Sequence, residues 1–504
     1  MIKYTRTIDN PKHTSDLEIY FQKFRANIIG NNKLYQTAYG TKKMLYADWT
    51  ASGRLYRPIE SKLSNLLGPF IGNTHTESTT SSKVTTIAYR KAQQIIKDHV
   101  HASNTDVLIS TGTGATGAVN KLQRLLGLRA PSNLQNQITL QEEDRPIIFI
   151  SHMEHHSNSL SWQETIGDVV MLQPDSDGCI DLQELEQLLI KYRNRKTKIG
   201  AFTACSNVTG LKTKYQQLAR MMHKHNGICF IDFAASAPYV DINMHPDDPM
   251  DKLDGLFFSP HKFLGGPGSC GVLLVDEALI DNKIPDHPGG GTVLWTNYWG
   301  EYCYLEGTES REDGGTPAII QTIKAALAIQ LKEEMGTNAI LQREEEMLSY
   351  FLPQLDAMDR ITILGGERSA SNQLGIISFC ARDIHHHLFV TLLNDRFGIQ
   401  ARGGCSCAGP YGHHLLDISK KASNKMTKKA EQGDMSLKPG WVRISLHPTM
   451  TNNDLQTILF AIQSIVKNIE AWRSDYYYES DKDTFTSIHS FDNTKSTINQ
   501  LFYI

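Results

Sequence analysis

Phe257-Phe258-Ser259-Pro260-His261-Lys262-Phe263-Leu264-Gly265-Gly266-Pro267-Gly268 sets one lysine between a serine-histidine step and a glycine-rich turn. An apolar run, Gly271 to Val275, follows closely. Glycine tolerates positive φ and close backbone approach, so the turn suits a tight passage over a bound ligand. Packed among Phe257, Phe258 and Phe263, the Lys262 amine loses solvation, which lowers its pKa and equips it to attack a carbonyl. Upstream, Ile228-Cys229-Phe230-Ile231-Asp232-Phe233-Ala234-Ala235-Ser236 reads as a short apolar strand ending in a carboxylate.

A strand-terminal aspartate about thirty residues before a lysine that follows His261 supplies what pyridoxal phosphate requires. Asp232 offers a carboxylate for the pyridinium nitrogen and Lys262 an amine for the aldehyde. Working outward, strands are expected over 106–110, 146–150, 168–172, 199–203 and 227–232, with helices over 182–192 and 215–225. That alternation predicts an α/β fold with a mostly parallel sheet covered by helices on both faces. Ligands then sit at the carboxyl ends of the strands. The 106–110 strand runs into Thr111-Gly112-Thr113-Gly114-Ala115-Thr116-Gly117, which opens a helix. Backbone N–H groups at a helix start, helped by Thr116, make an anion site. The spacing is not a dinucleotide fingerprint, and no acidic ribose partner follows.

Further helices are expected over 16–29, 84–99, 317–335 and 344–355. Strands at 361–363 and 375–379 and a helix at 386–397 read as a smaller α+β unit. The polar insert 417–439 carries Lys420, Lys421, Lys425, Lys428 and Lys429 and reads as a solvated loop, with a docking surface for an acidic protein as the alternative. The tail beyond Trp472 reads as loosely ordered or wrapped on the surface. These expectations divide the chain into an N-terminal segment (1–40) near the small domain, a large cofactor-binding domain (41–325), a small C-terminal domain (326–475) and a polar tail (476–504).

The ordered motifs resemble those of the class V aminotransferase-fold enzymes, fold type I and pyridoxal phosphate dependent. Within them they resemble the cysteine desulfurase and selenocysteine lyase branch, from about Tyr46 to about Leu455. The resemblance implies that Gly114, Ala115 and Thr116 cradle the cofactor phosphate together with Ser259 and His261. It makes His155 the imidazole that stacks on the cofactor ring and moves protons, and Asn207 a hydrogen-bond partner of its phenolic oxygen. Thr316, in Gly314-Gly315-Thr316-Pro317, matches a threonine that reaches the phosphate of the partner subunit's cofactor; a homodimer with shared sites follows. Thr316-Pro317 is also an ordinary helix start with proline at the first position. The turn Asp48-Trp49-Thr50-Ala51-Ser52-Gly53 is expected at the mouth of the site, with Ala51 near substrate. Three residues after Asp232 the family has Gln or His; this chain has Ala235, so that hydrogen bond is missing or comes from a neighbour such as Ser236.

Two arginines are candidates for the substrate α-carboxylate, which guanidinium groups bind in bidentate fashion. Arg443 lies on a short apolar strand, where a buried arginine requires an anion; Arg402 is the second. In Arg402-Gly403-Gly404-Cys405-Ser406-Cys407-Ala408-Gly409, the family's spacing from the arginine puts the sulfur-accepting cysteine at Cys407. Flanking glycines are expected to give this loop mobility. Cys405 as nucleophile, sulfur shared between the two, and two inert thiols are competing readings. No metal site is expected, because neither His152 with His155 nor the cysteine pair with His413 and His414 has zinc spacing.

The activity expected is removal of sulfur or selenium from cysteine or selenocysteine, leaving alanine and an enzyme persulfide, with a protein as sulfur acceptor. Transamination, epimerisation or C–S β-elimination on a small amino acid are the alternatives, and a non-catalytic scaffold of the same fold is a rival class. A net charge of −3 argues against bulk nucleic-acid binding. No apolar run is long enough to cross a bilayer. Eight cysteines scattered over 504 residues read as reduced and cytoplasmic rather than as a disulfide framework.

Overall fold

The computed structural model describes residues 15–74, 76–365, 370–489 and 494–503. Seven strands make the central sheet: β1 (Asp106–Thr111), β2 (Ile147–Ser151), β3 (Asp168–Leu172), β4 (Lys198–Thr203), β5 (Ile228–Asp232), β6 (Gly255–Phe258) and β7 (Gly271–Asp276). Their order is β1-β7-β6-β5-β4-β2-β3. Only β7 runs against its neighbours, so the other six strands all point the same way. Every residue of β2, β4 and β6 is buried. Apolar runs such as Ile147-Ile148-Phe149-Ile150 and Leu256-Phe257-Phe258 suit a sheet covered on both faces, where alternation would leave polar groups dry.

This polarity brings five turns to one edge. β1 leads to Gly114, β2 to His155, β4 to Asn207, β5 ends at Asp232, and β6 leads to Lys262. Register does the fine placement: Asp232 pairs with Thr203 on one side and with Phe257 on the other. The carboxylate therefore lies directly beside the strand that delivers the lysine.

A second sheet is antiparallel throughout and contains β8 (Ile361–Ile363), β9 (Ile376–Ala381), β10 (Arg402–Gly404) and β11 (Trp441–Ser445) in the order β8-β9-β11-β10. It is tied to the mouth turn because Ile399–Gln400 pairs in parallel with Leu45–Tyr46. Ser445 N–H also donates to Ala47 O at 2.7 Å. The N-terminal helix Asp16–Arg25 is capped by Ser15 and buries Phe21 and Phe24. Its Glu18 pairs at 3.4 Å with Arg343 of the helix Thr337–Asp356. Residues 1–14 of the expected N-terminal segment lie outside the described residues. The expected division at 325/326 falls inside the continuous helix Ile319–Met335.

Two stretches differ from expectation. The lysine-rich insert contains a helix, Lys420–Glu431, rather than a loop; Ser419 caps it by accepting from Ala422 N–H. Lysine and alanine are good helix formers, and the cap satisfies one of the first free N–H groups. The tail is not loose over its first part: β12 (Tyr476–Glu479) and β13 (Thr484–Ser487) form an antiparallel hairpin. Aromatic and β-branched residues favour that conformation. Asp475 anchors its start, accepting from Arg396 at 2.5 Å and Tyr39 at 3.0 Å. Among the described residues no helix is long and apolar enough to cross a membrane.

Candidate active site

Steric fit fixes the lysine turn. Pro260–Lys262 is a single tight helical turn after β6. Gly53 N–H donates to His261 O at 2.9 Å, and Gly265 N–H to Arg54 O at 2.7 Å. A Cβ on Gly53 would stand 1.9 Å from Phe263 O, and one on Gly266 1.8 Å from Pro260 O. Two backbones in such contact leave no room for a side chain. Burial lowers the Lys262 amine to about 8 and raises the Asp232 carboxyl to about 6. Asp232 accepts from Ala234 N–H at 2.7 Å, which fixes the carboxylate at the strand end.

One cavity of about 420 Å³ gathers nearly every residue singled out in the sequence. Ala51, Gly114, Ala115, Thr116, His155, Asn207, Asp232, Ser259, His261, Lys262, Arg402, Cys407 and Arg443 all line it. Thr316 does not; it lines a neighbouring cavity of about 930 Å³ that shares Gly112 and Thr113 with the first. Ala235 lines the main cavity, whereas Ser236 does not. Ser236 is buried with an unpartnered hydroxyl, so it does not replace the missing Gln or His at the cavity wall.

At the anion-binding turn, Gly114 has φ +60 and Ala115 N–H donates to Ser259 Oγ at 2.7 Å. Thr116 and Ser157 hydroxyls meet at 2.7 Å. His155 caps the helix His156–Gln163, its Nδ1 accepting from Ser157 N–H at 3.1 Å. Burial first, then the Lys262 charge, depress His155 to about 3, which leaves the ring neutral and able to stack. Beneath it Glu154 is fully buried; its carboxylate accepts from Ser151 at 2.5 Å, Asn158 at 2.7 Å and Thr203 N–H at 2.9 Å. Burial raises Glu154 to about 8. This group braces β2 against β4 and holds the His155 turn, a part that sequence reading did not assign.

Sequence reading also missed the partner of the two arginines. Arg402 and Arg443 stand directly opposite on β10 and β11, where like charges repel. Asp48 lies between them: Oδ1 is 2.9 Å from Arg443 and Oδ2 is 3.1 Å from Arg402. Arg443 also donates to Asn207 O at 3.0 Å, and its Nε has no partner. The expected anion for the buried arginine is therefore supplied by the chain itself.

The cysteine loop is tied down by three hydrogen bonds. Ser406 and Cys407 have φ +51 and +55, a left-handed conformation that costs non-glycine residues about 1 kcal/mol or more each. Asn207 Nδ2 donates to Ser406 O at 2.8 Å. His156 N–H donates to Cys407 O, and Gly409 N–H donates to His156 Nε2, each at 2.8 Å. The result aims Cys407 into the cavity, while Cys405 does not line it. His413 is engaged by Gly409 O and Ser423 Oγ at 2.9 Å each.

A cofactor of the expected kind fits this lining. Asn207 Oδ1 is buried without a partner at the cavity, Ser259, His261 and the Gly114 turn offer a phosphate cradle, and Lys262 and Asp232 face the same space without an ion pair between them.

The chain matches the class-V aminotransferase family over residues 45–458 and belongs to that family. Among curated relatives it is 30% identical to a probable cysteine desulfurase of Halalkalibacterium halodurans over 375 residues, 73% of this chain and 84% of that protein. A probable cysteine desulfurase of Staphylococcus epidermidis is 28% identical over 76% of this chain and 87% of its own length. Of solved structures, the apo cysteine desulfurase of Thermococcus onnurineus superposes with a TM-score of 0.70 at 24% identity, covering 88% of this chain and 98% of that one. An Escherichia coli cysteine desulfurase in its S-sulfonic acid form gives 0.67 at 21%, covering 89% and 98%. At these identities the structures speak for the fold, which is the fold type I arrangement expected from the sequence.

Proposed function

We propose that the chain is a pyridoxal phosphate-dependent cysteine desulfurase that takes sulfur, or selenium, from cysteine or selenocysteine and releases alanine. The observation that carries this reading is the convergence of Lys262, Asp232 and Cys407 on one cavity. The names of the relatives support it.

Pyridoxal phosphate, when bound, supplies an electron sink for charge developing at the substrate Cα. Asp232, at its strand end, would keep the pyridine nitrogen protonated. Gly114, Ala115, Thr116, Ser259 and His261 would hold the phosphate, and His155 would stack on the ring. Lys262 would hold the aldehyde and carry the Cα proton; its amine, lowered to about 8 by burial, is deprotonated in a far larger fraction near neutrality than an exposed lysine. Arg443, with Arg402, orients the substrate carboxylate as it displaces or shares Asp48. Cys407 Sγ, as thiolate, bonds to the substrate sulfur while the carbon–sulfur bond breaks and its pair stays with carbon.

The reading extends to a cytoplasmic homodimer, with a protein as final sulfur acceptor. In support, Thr316 lies outside the Lys262 cavity of its own chain. The hairpin of Val293–Thr296 and Tyr302–Tyr304 exposes Leu294, Trp295, Tyr298 and Trp299, the kind of apolar surface a second copy covers.

Cysteine turnover with mass spectrometry tests the activity. Wild type and Cys405→Ser are expected to release alanine and carry a persulfide on Cys407; Cys407→Ser is expected to retain the cofactor and carry none. Full alanine release by Cys407→Ser, with no persulfide on any wild-type cysteine, overturns the proposal. Pyruvate and ammonia as products would assign C–S β-elimination instead.

A further inference from the structure

Behind the arginine strand, on the face away from the cavity, lies a second polar cluster that the activity does not use. His385, His386 and His387 are consecutive at the start of the helix His386–Phe397, with His385 as its cap. Asp483, at the tip of the β12–β13 hairpin, reaches down onto them. One nitrogen each of His385 and His386 and one oxygen of Asp483 lie within 4.8 Å of one another, the one such cluster among the described residues. His386 and Asp483 are 8% and 6% exposed. His385 Nε2, His386 Nε2 and Asp483 Oδ2 are all buried without a hydrogen bond, the carboxylate oxygen having only the longer approaches of His387 Nε2 at 3.4 Å and Lys438 Nζ at 3.8 Å. Buried orphan atoms are rare in native proteins, and each calls for a water or an ion. Three on adjoining residues, two imidazole nitrogens and a carboxylate oxygen, make a shared ligand the economical answer.

We propose that His385, His386 and Asp483 form a metal site for a divalent transition ion of the zinc class. The ion clips the C-terminal hairpin onto the back of β10. Two imidazoles and a carboxylate are a donor set that such ions accept, with a water in the fourth position. Donors held about 2.0–2.1 Å from an ion sit closer to one another than here, so the hairpin tip moves inward on binding. His387 Nε2, 3.4 Å from Asp483 Oδ2, holds the carboxylate from outside. Tyr478 O–H donates to Asp483 Oδ1 at 3.0 Å and leaves Oδ2 for the ion. Two features oppose binding and give way. His385 Nδ1 accepts from His387 N–H at 3.2 Å; ligation through Nε2 puts the proton on Nδ1 and ends that contact. Lys438 Nζ, 3.8 Å from Asp483 Oδ2 and half exposed, swings out to solvent.

The site bears on the known cavity through contact. A Cβ on Gly440 would stand 2.7 Å from His386 Nε2, and one on Gly403 2.9 Å from His387 Nδ1. The imidazoles thus pack directly on the backbone that carries Arg402 and leads to Cys407.

Chelator-treated, gel-filtered holoenzyme titrated with zinc chloride tests the proposal by calorimetry and elemental analysis, with cobalt(II) as a spectroscopic substitute. Wild type is expected to bind one ion per chain and to melt at a higher temperature with it. Cobalt is expected to show ligand-field bands without a sulfur-to-cobalt charge-transfer band. Asp483→Asn and His386→Gln should each weaken binding at least ~10-fold, and Lys438→Ala should tighten it. No binding by wild type, wild-type affinity in both ligand variants, or a sulfur-to-cobalt band from Cys405 and Cys407 overturns it. Should the ligand variants fail to fold, an unchanged affinity in Lys438→Ala overturns it equally.

Discussion

The lysine turn and the cysteine loop face each other across the same cavity and are held in opposite ways. Around Lys262, backbone presses on backbone, and Gly53 and Gly266 sit where a Cβ would overlap a carbonyl oxygen. Around Cys407, two left-handed residues are kept in place by three hydrogen bonds: Asn207 and His156 N–H donate to the loop, and His156 Nε2 accepts from Gly409 N–H. The first arrangement is steric and hard to shift. The second is polar, costs conformational energy, and gives way when its few partners are lost. Under the proposed function, a group that anchors a cofactor through every turnover needs fixity, and a thiol that takes sulfur and then hands it on needs a hold that releases.

The comparison can be broken most completely at the lysine. Lys262→Ala is expected to abolish covalent capture of pyridoxal phosphate. Borohydride reduction and peptide mapping of the wild type should label Lys262 alone; a label on another lysine removes the assignment. Gly266→Ala should come next, because its Cβ meets a backbone oxygen that cannot rotate away. A loss of about 3 kcal/mol, seen as a lower melting temperature with reduced cofactor occupancy, is the expected result, and an unchanged melting temperature would mean the turn yields.

Burial of Lys262 gives a pH signature. The amine is protonated below its lowered pKa of about 8, so capture of the aldehyde by apoprotein should rise about tenfold per pH unit up to there and then level off. An exposed lysine would level off only near about 10.4, and a plateau there would count against the buried site. The smallest effect belongs to the cysteine loop. His156→Ala removes the acceptor of Gly409 N–H, one bond of about 1 kcal/mol. Persulfide formation should slow about fivefold while borohydride labelling of Lys262 is untouched; equal loss of both would show that the two regions are not separable.

Lys262, Asp232, the Gly114 turn and the strand run were legible because each is local. An apolar run, a strand-ending carboxylate and a glycine turn declare themselves within about ten residues. Thr203 and Phe257 beside Asp232 then follow from the parallel order of those strands. In the helix 420–431 and the tail hairpin, polar composition masks the local signals, the Ser419 cap and the run Tyr476-Tyr477-Tyr478, so a loop and a loosely ordered or surface-wrapped tail are what composition suggests.

The sequence by itself determined the sheet, the residue types that line the cavity and the edge on which they gather, because backbone preference and burial pattern act over short spans. Only the tertiary structure decided that Asp48 sits between Arg402 and Arg443, that His156 holds the loop of Cys407, and that Asp483 meets His386. Those partners are separated by 354 and 395, by 253 and by 97 residues. No local propensity encodes such a meeting; it exists only once the two sheets and the hairpin have packed, and buried charge and unpartnered polar atoms then select what faces what.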